Sequence, residues 1–139
     1  FSKPVIKDLD FSFSGLKTSF LYFLRDALKQ NPDFIGENTA DLCASIQKAI
    51  IDSLMLKLSR AAKETGISEI AIVGGVSANS GLRNAVSRLG IQRKWNIYIP
   101  ELQYATDNAG MIAITGYYKF LNREYSSLDL TPVARFNEL

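Results

Sequence analysis

The chain has 139 residues, 47% of them hydrophobic, and a formal net charge of +2, which suits one domain with a hydrophobic core but does not by itself indicate nucleic-acid binding. No apolar run indicates a signal peptide or a membrane span, so we expect a cytoplasmic protein with no membrane partner. The sequence contains no histidine, which excludes a metal site or a general base made from this chain's own histidines.

The first predicted helix follows an alternation of aromatic and hydroxyl residues at positions 11–14. Apolar residues then recur at helical spacing. They are Leu16, Phe20, Phe23, Leu24 and Leu28. Ser14 is the predicted N-cap. Asn31 ends the helix, because a residue before proline is disfavoured in the helical region.

A second helix is predicted from about Asn38 to Thr65, with Gly66 as its stop signal. Its predicted apolar stripe consists of Ala40, Cys43, Ile46, Ile50, Leu54, Leu58 and Ala61. Cys43 is the single cysteine of the chain. We interpret it as a small buried hydrophobic residue, which has no partner for an internal disulfide.

Strands and helices alternate in the second half of the chain. The apolar run 70–73 predicts a strand covered on both faces, as in a parallel sheet flanked by helices. A glycine-rich loop at 74–81 and a helix at 82–89 follow, and Gly90 is predicted to end that helix.

The same pattern then repeats once. A strand is predicted at about 95–99, a loop at 103–108 and a helix from Ala109 to about Arg123. Residues 124–139, which include Pro132, show little periodicity and are predicted to be an irregular C-terminal tail.

This order predicts an α/β fold, mainly a parallel sheet flanked by helices, with an added helical segment in the first half and one domain over residues 1–139. Both loops would leave the carboxyl ends of their strands, where open α/β sheets bind ligands. Asn79 and Asp107 are therefore predicted to lie at the same edge of the sheet.

The glycine loop is the first candidate site. Its glycines allow backbone N–H groups to approach an anion or a planar base, and the helix behind it adds the favourable end of its dipole. Gly75 and Asn79 are the candidate substrate-binding residues, with a nucleotide as the expected ligand. The alternative is a tight turn in which Ser77 or Asn79 only caps the helix.

Asp107 is the second candidate. At the start of the last helix, its carboxylate either caps that helix or faces a cation, and Asn108 could share either role. Basic residues at 83, 88, 93 and 94 form either a phosphate-contacting strip for RNA or a solvated helix face. Lys17 could likewise reach a phosphate or simply lie at the surface.

Three segments resemble signature stretches of one enzyme family. They are DFSFSGLKT at 10–18, GGVSAN at 74–79 and TDNAGMIA at 106–113. In content and order they are similar to the TsaD family of tRNA threonylcarbamoyladenosine transferases, formerly called O-sialoglycoprotein endopeptidases. The resemblance extends over about residues 8–122.

This resemblance implies an actin-like (ribonuclease H-like) lobe, the C-terminal one of two lobes that hold nucleotide and metal between them. Such enzymes transfer a threonylcarbamoyl group from threonylcarbamoyl-AMP to the N6 amine of the adenosine adjacent to the anticodon in tRNA. By their positions in the motifs, Asn79 would contact the adenylate and Asp107 would be a ligand of iron or zinc. A paralogous actin-like subunit and a small ATPase are the implied protein partners.

The sequence departs from the family pattern in its metal ligands. In the family, two histidines of an HxxxH motif on the first lobe complete the metal site, and this chain has no histidine. Because the chain begins at Phe1, we interpret it as an excised piece without its first lobe, and we expect no activity from it in isolation. No residue of the chain is assigned as catalytic.

Two alternatives stay open. One is a phosphotransferase or ATPase of the same superfamily, in which the glycine loop would bind the phosphates of ATP. The other is a non-catalytic actin-like lobe that docks on a paralogous subunit.

Overall fold

The computed structural model describes residues 8–131 of the chain. They fall into two compact units that divide between Ala105 and Thr106. The first contains three α-helices, two short 3₁₀ helices and a two-stranded sheet, and the second contains one α-helix. The assignment of residues 1–139 to a single domain stays a prediction.

Helix α1 spans Phe13–Gln30 and α2 spans Phe34–Thr65. The predicted N-cap Ser14 is wrong, because the helix begins one residue before it and Ser12 occupies the cap without a side-chain hydrogen bond. Asn31 ends α1 in an extended conformation, as predicted from the proline that follows.

Helix α2 begins four residues earlier than the sequence predicts. The predicted start, Asn38, is instead an internal kink with non-helical backbone angles (φ −120°, ψ 15°). Its side chain donates to the carbonyl of Phe34 over 2.8 Å, so a polar side chain that competes for backbone groups bends the helix instead of starting it. Gly66 ends α2 with a φ of +71°, as predicted.

The predicted buried stripe of α2 differs from the observed one at its first positions. Leu42 and Ala62 are the buried residues of this helix, whereas Cys43 is exposed. One residue along a helix turns the side-chain direction by about 100°. Burial of Leu42 therefore directs Cys43 away from the core.

Strands β1 (Glu69–Ala71) and β2 (Asn96–Tyr98) are parallel, with Ile70 opposite Ile97. Helix α3 (Ser80–Arg93) connects them. The predicted parallel strand–helix–strand unit is confirmed. The prediction that 70–73 is covered on both faces is wrong for this chain, because Ile70 is buried while Ala71 is exposed and Val73 is 79% exposed.

Helix α3 runs past Gly90, which the sequence predicts as its end. Gly90 is buried against Ile97 of β2, so its glycine permits close helix–strand packing. The helix ends instead at Lys94, which adopts the left-handed conformation at φ +58°.

Within residues 8–131, the buried apolar residues all belong to the first unit. They are Leu16, Leu42, Ala62, Ile70, Leu82, Val86 and Ala105. In the second unit, α4 spans Ala109–Leu121 and buries none of its residues.

The irregular tail is described only in part. Residues 124–131 form neither helix nor strand, and residues 132–139, including Pro132, lie outside the described residues. Over positions 8–131, no helix is both long enough and apolar enough to cross a membrane.

Candidate functional site

The glycine loop leaves the carboxyl end of β1 and enters α3 through one short 3₁₀ helix, Gly75–Ala78. Gly74 has a φ of +82°, so the loop requires glycine at this position. The sequence interpretation singled out Gly75 instead. A Cβ placed on Gly75 would meet no atom within 4 Å, so the described packing leaves open space beside its backbone.

Asn79 is the N-cap of α3. Its Oδ1 accepts a hydrogen bond from the backbone N–H of Leu82 over 2.9 Å, and its Nδ2 donates to Oε1 of Gln47 on α2 over 3.0 Å. Asn79 therefore caps α3, and the substrate-binding roles of Asn79 and Gly75 stay predictions. Because a carboxamide has two N–H groups and two lone pairs on oxygen, one donor and one acceptor position remain for a ligand. The contact with Gln47 was not predicted from the sequence, because 32 residues separate Gln47 from Asn79.

Ser77 does not cap the helix. It is 1% exposed, and its hydroxyl has no hydrogen-bond partner within the part of the chain that the structure describes. Its backbone N–H, in contrast, is hydrogen-bonded, and donates to the carbonyl of Gly74 over 2.9 Å. The buried hydroxyl lies in the middle of the candidate loop.

The segment after β2 reaches the same edge of the sheet, because β1 and β2 are parallel. It continues through Pro100 and a 3₁₀ helix at Leu102–Tyr104 to Ala105, which is buried. Arg83 of α3 bonds to both segments. Its Nε donates to the carbonyl of Ser77 over 2.6 Å and its Nη2 donates to the carbonyl of Pro100 over 2.7 Å.

The basic residues do not form one strip. Arg83 is partly buried and donates to backbone carbonyls, whereas Arg88, Arg93 and Lys94 are exposed. Residues five apart on a helix point about 140° apart, so Arg83, Arg88 and Arg93 do not share one face. The exposure of Arg88 and Arg93 fits the solvated-face interpretation, and contact of these residues with RNA phosphates stays a prediction.

An apolar cavity lies beside the glycine loop. It is lined by Phe13, Leu16 and Phe20 of α1, three residues of α2 and Val76 of the loop, and its polar lining residues are Ser14 and Lys17. An apolar cavity with a few polar groups is typical of small-molecule sites.

Asp107 lies in the second unit and is exposed. It does not cap α4, because Oδ1 of Asn108 accepts from the backbone N–H of Met111 over 3.1 Å. Nδ2 of Asn108 also donates to the carbonyl of Thr106 over 2.9 Å. The capping interpretation of Asp107 is wrong, its metal role stays a prediction, and so does its proximity to Asn79 of the first unit.

The described residues do not form a metal site by themselves. Between positions 8 and 131 there is no group of three or more His, Cys, Asp or Glu side chains that could hold an ion. Iron and zinc sites in proteins use several ligands at once. Asp107 could therefore contribute at most one ligand to a site completed from outside this set.

The first unit has the arrangement of an α/β ligand-binding module, in which a glycine loop and a helix N-terminus follow a parallel strand. The chain belongs to the tRNA N6-adenosine threonylcarbamoyltransferase family, which residues 1–114 match. The family resemblance of the three sequence segments is thus confirmed.

Proteins named tRNA N6-adenosine threonylcarbamoyltransferase are close in sequence. One from Phocaeicola vulgatus is 55% identical over 135 residues, a match that covers 97% of this chain and 40% of that protein. One from Porphyromonas gingivalis is 52% identical with the same coverage. A third, from Riemerella anatipestifer, is 53% identical over 136 residues. The chain spans about 40% of the length of these curated relatives.

Proposed function

We propose that the chain forms one lobe, the C-terminal one, of an actin-like transferase that moves threonylcarbamoyl from threonylcarbamoyl-AMP to the N6 amine of the adenosine adjacent to the tRNA anticodon. Family membership supports this proposal. The structural observation that carries it is the loop from Gly74 to Asn79, which leaves the carboxyl end of β1 and enters the N-terminus of α3.

The loop would bind the nucleotide part of the substrate. The open space beside Gly75 lets a ligand approach the backbone. The N-terminus of α3 favours a nearby phosphate by about 0.3–1 kcal/mol. The remaining donor and acceptor positions of the Asn79 amide can meet polar atoms of the ribose or base.

The chemistry asks little of this chain beyond binding and orientation. The N6 nitrogen attacks the carbonyl carbon of the threonylcarbamoyl group, and a C–N bond forms. The bond between that carbon and the phosphate oxygen breaks, AMP leaves with the electron pair, and the nitrogen loses one proton. Asn79 would orient the leaving nucleotide, so that the carbonyl faces the amine.

Asp107 would supply one carboxylate ligand to iron or zinc. The remaining ligands would come from a first lobe outside this chain. Since the described residues form no metal site alone, we expect the chain in isolation to be inactive and assign no step of the reaction to the metal. A paralogous actin-like subunit and a small ATPase are the proposed partners in the cytoplasm.

The test is complementation in cells depleted of their own enzyme, using the gene at its natural length. Threonylcarbamoyladenosine in tRNA is measured by mass spectrometry. We expect the unaltered gene to restore it and Asp107→Asn to lower transfer by at least about 100-fold, because replacing even the hydrogen-bond partners of metal ligands costs about 10–100-fold. Asp129→Asn, which alters an exposed aspartate of the same unit, should leave it unchanged.

For Asn79, the informative variant is Asn79→Ser, which retains a capping oxygen and loses the amide. We expect it to reduce transfer while the protein stays folded, and Asn84→Ser on the exposed part of α3 is its matched control. If the unaltered gene restores no modified base but the protein hydrolyses ATP, the phosphotransferase alternative replaces our proposal. If it restores none and only binds the paralogous subunit, the chain is a non-catalytic lobe.

A further inference from the structure

Arg83 connects the two segments that leave the carboxyl edge of the sheet. Its guanidinium bonds to the carbonyl of Ser77 in the glycine loop and to the carbonyl of Pro100 just after β2. We call this pair of bonds the Arg83 bridge. Seventeen residues separate Arg83 from Pro100. The bridge is therefore a tertiary contact that local sequence patterns do not predict.

We propose that Arg83 is a positioning residue: its bridge fixes the glycine loop against the segment after β2 and thereby sets the place of Asn79. The proposal rests on the proposed role of this loop in binding the adenylate. Arg83 itself would not touch the substrate. It would act through the backbone two residues before Asn79.

Arginine is suited to this task by its geometry. Nε and Nη2 belong to one rigid plane, so two carbonyls that accept from them are held at a fixed separation. Lysine carries a single nitrogen on a flexible chain and cannot reproduce that spacing.

The loop depends on this contact because Ser77 is buried. A buried carbonyl is costly to leave unpaired, and the donor that the structure provides for the carbonyl of Ser77 is Nε of Arg83. The backbone bonds within the loop are short-range, from Ser77 to Gly74 and from Asn79 to Val76, and the Asn79 side chain donates to Gln47 of α2. The backbone bonds shape the turn, whereas the bridge fixes it relative to β2.

The kinetic test compares Arg83→Gln, Arg83→Lys and the control Arg88→Gln in the natural-length enzyme. Arg88 lies on the same helix, is exposed, and loses the same charge. We expect Arg83→Gln to raise the KM for threonylcarbamoyl-AMP about tenfold and to change kcat by less than about threefold. The KM of Arg83→Lys should lie between those of the wild type and Arg83→Gln, and the KM of Arg88→Gln should equal that of the wild type.

An RNA-contacting role predicts a different result. In that case Arg83→Gln and Arg88→Gln would both weaken tRNA binding and reduce its dependence on salt, with the KM for the adenylate unchanged. That outcome would overturn the bridge as a positioning device.

A second readout does not depend on activity. Amide hydrogen exchange is followed without substrate at Ser77 and Asn79 on one side of the bridge and at Tyr104 and Ala105 on the other, whose N–H groups bond within their own segments. We expect Arg83→Gln to speed exchange in both segments and Arg88→Gln in neither. Should Arg83→Gln fail to fold, as judged by circular dichroism, Arg83→Lys carries the same comparison.

The two proposals fail in different ways. If the wild type transfers no threonylcarbamoyl group but exchange rises on both sides of the bridge in the variant, the proposed function is wrong and the coupling of the two segments stands. If the wild type is active and every folded Arg83 variant matches Arg88→Gln in KM and in exchange, the positioning role is wrong.

Discussion

The two compact units hold their candidate residues in different ways. In the first, Asn79 is bonded to Gln47, 32 residues away, and its loop is bonded to Arg83. In the second, Asp107 precedes a helix that buries no residue and whose N-cap bonds reach at most three residues along the chain. A tertiary framework thus fixes one candidate, whereas local hydrogen bonds shape the surroundings of the other.

The largest expected contrast between the units is at two helical glycines. Gly90→Ala places a Cβ in overlap with Cγ1 of Ile97 and 2.9 Å from its Cδ1. We expect a loss of about 1–3 kcal/mol in the free energy of unfolding, because overpacking outweighs the gain in helix propensity. Urea denaturation of the natural-length protein measures it.

Gly116→Ala in α4 is the matched substitution in the second unit. A Cβ there meets nothing within 4 Å, so we expect helix propensity alone to act, with α4 stabilised by up to about 1 kcal/mol. Changes of the same sign at Gly90 and Gly116 would contradict the contrast between the units. Ile97→Val should relieve part of the loss in Gly90→Ala.

A smaller contrast is expected at the two asparagine caps. Asn79→Ala removes the cap of α3 and the bond to Gln47 and should cost about 1–2 kcal/mol, whereas Asn108→Ala removes a local cap at a cost of about 0.5–1 kcal/mol. Hydrogen exchange should show faster exchange in α2 and α3 for the first variant and in α4 alone for the second.

The outcome that would break this comparison is faster exchange in α3 on replacing Asn108. Gln47→Ala is the control for Asn79, because it leaves the cap bond to Leu82 in place. Gln47→Ala should lower the stability of the protein by less than half of the loss seen in Asn79→Ala.

The smallest expected effect is a pH dependence at the sheet. The hydroxyl of Tyr98 donates to Glu69 over 2.7 Å and, together with a weaker effect from Asn96, lowers the pKa of Glu69 below its ordinary 4.5. A lowered pKa contributes stability above the ordinary value that is lost as the pH falls through the folded value. Tyr98→Phe should therefore raise the pKa of Glu69, as followed by NMR titration of its carboxyl.

Asp129 provides the local counterpart in the second unit. A hydrogen bond from Ser127, two positions away, lowers its pKa. We expect the shift at Glu69 to disappear when the strands separate in denaturant, since its partners lie 27 and 29 residues away. A shift at Glu69 that survives unfolding would contradict the tertiary origin of the pair.

Sequence patterns predicted the helices and strands of this fold more accurately than they predicted which residues of those elements are buried. The parallel pairing of β1 and β2 and the stop at Gly66 follow from local signals. The continuation of α3 past Gly90 could not be predicted, because only the approach of Ile97 shows that glycine serves packing there. The orientation of α2 was equally beyond local reasoning, since it depends on which helices contact it.

The candidate site divides in the same way. The glycine loop and the cap at Asn79 were predictable from residue types and spacing. The partners of the loop, Gln47 and Arg83, were not, because their contacts depend on tertiary geometry. The sequence offered both Asp107 and Asn108 as possible caps of α4. The structure shows that Asn108 is the cap.

The outward direction of Cys43 has a practical consequence. It is the one thiol of the 139-residue sequence and it lies exposed on α2, the helix that also carries Gln47. A maleimide dye should attach to Cys43 of this chain without unfolding it. Its emission would then report ligand-dependent changes near the Gln47–Asn79 contact.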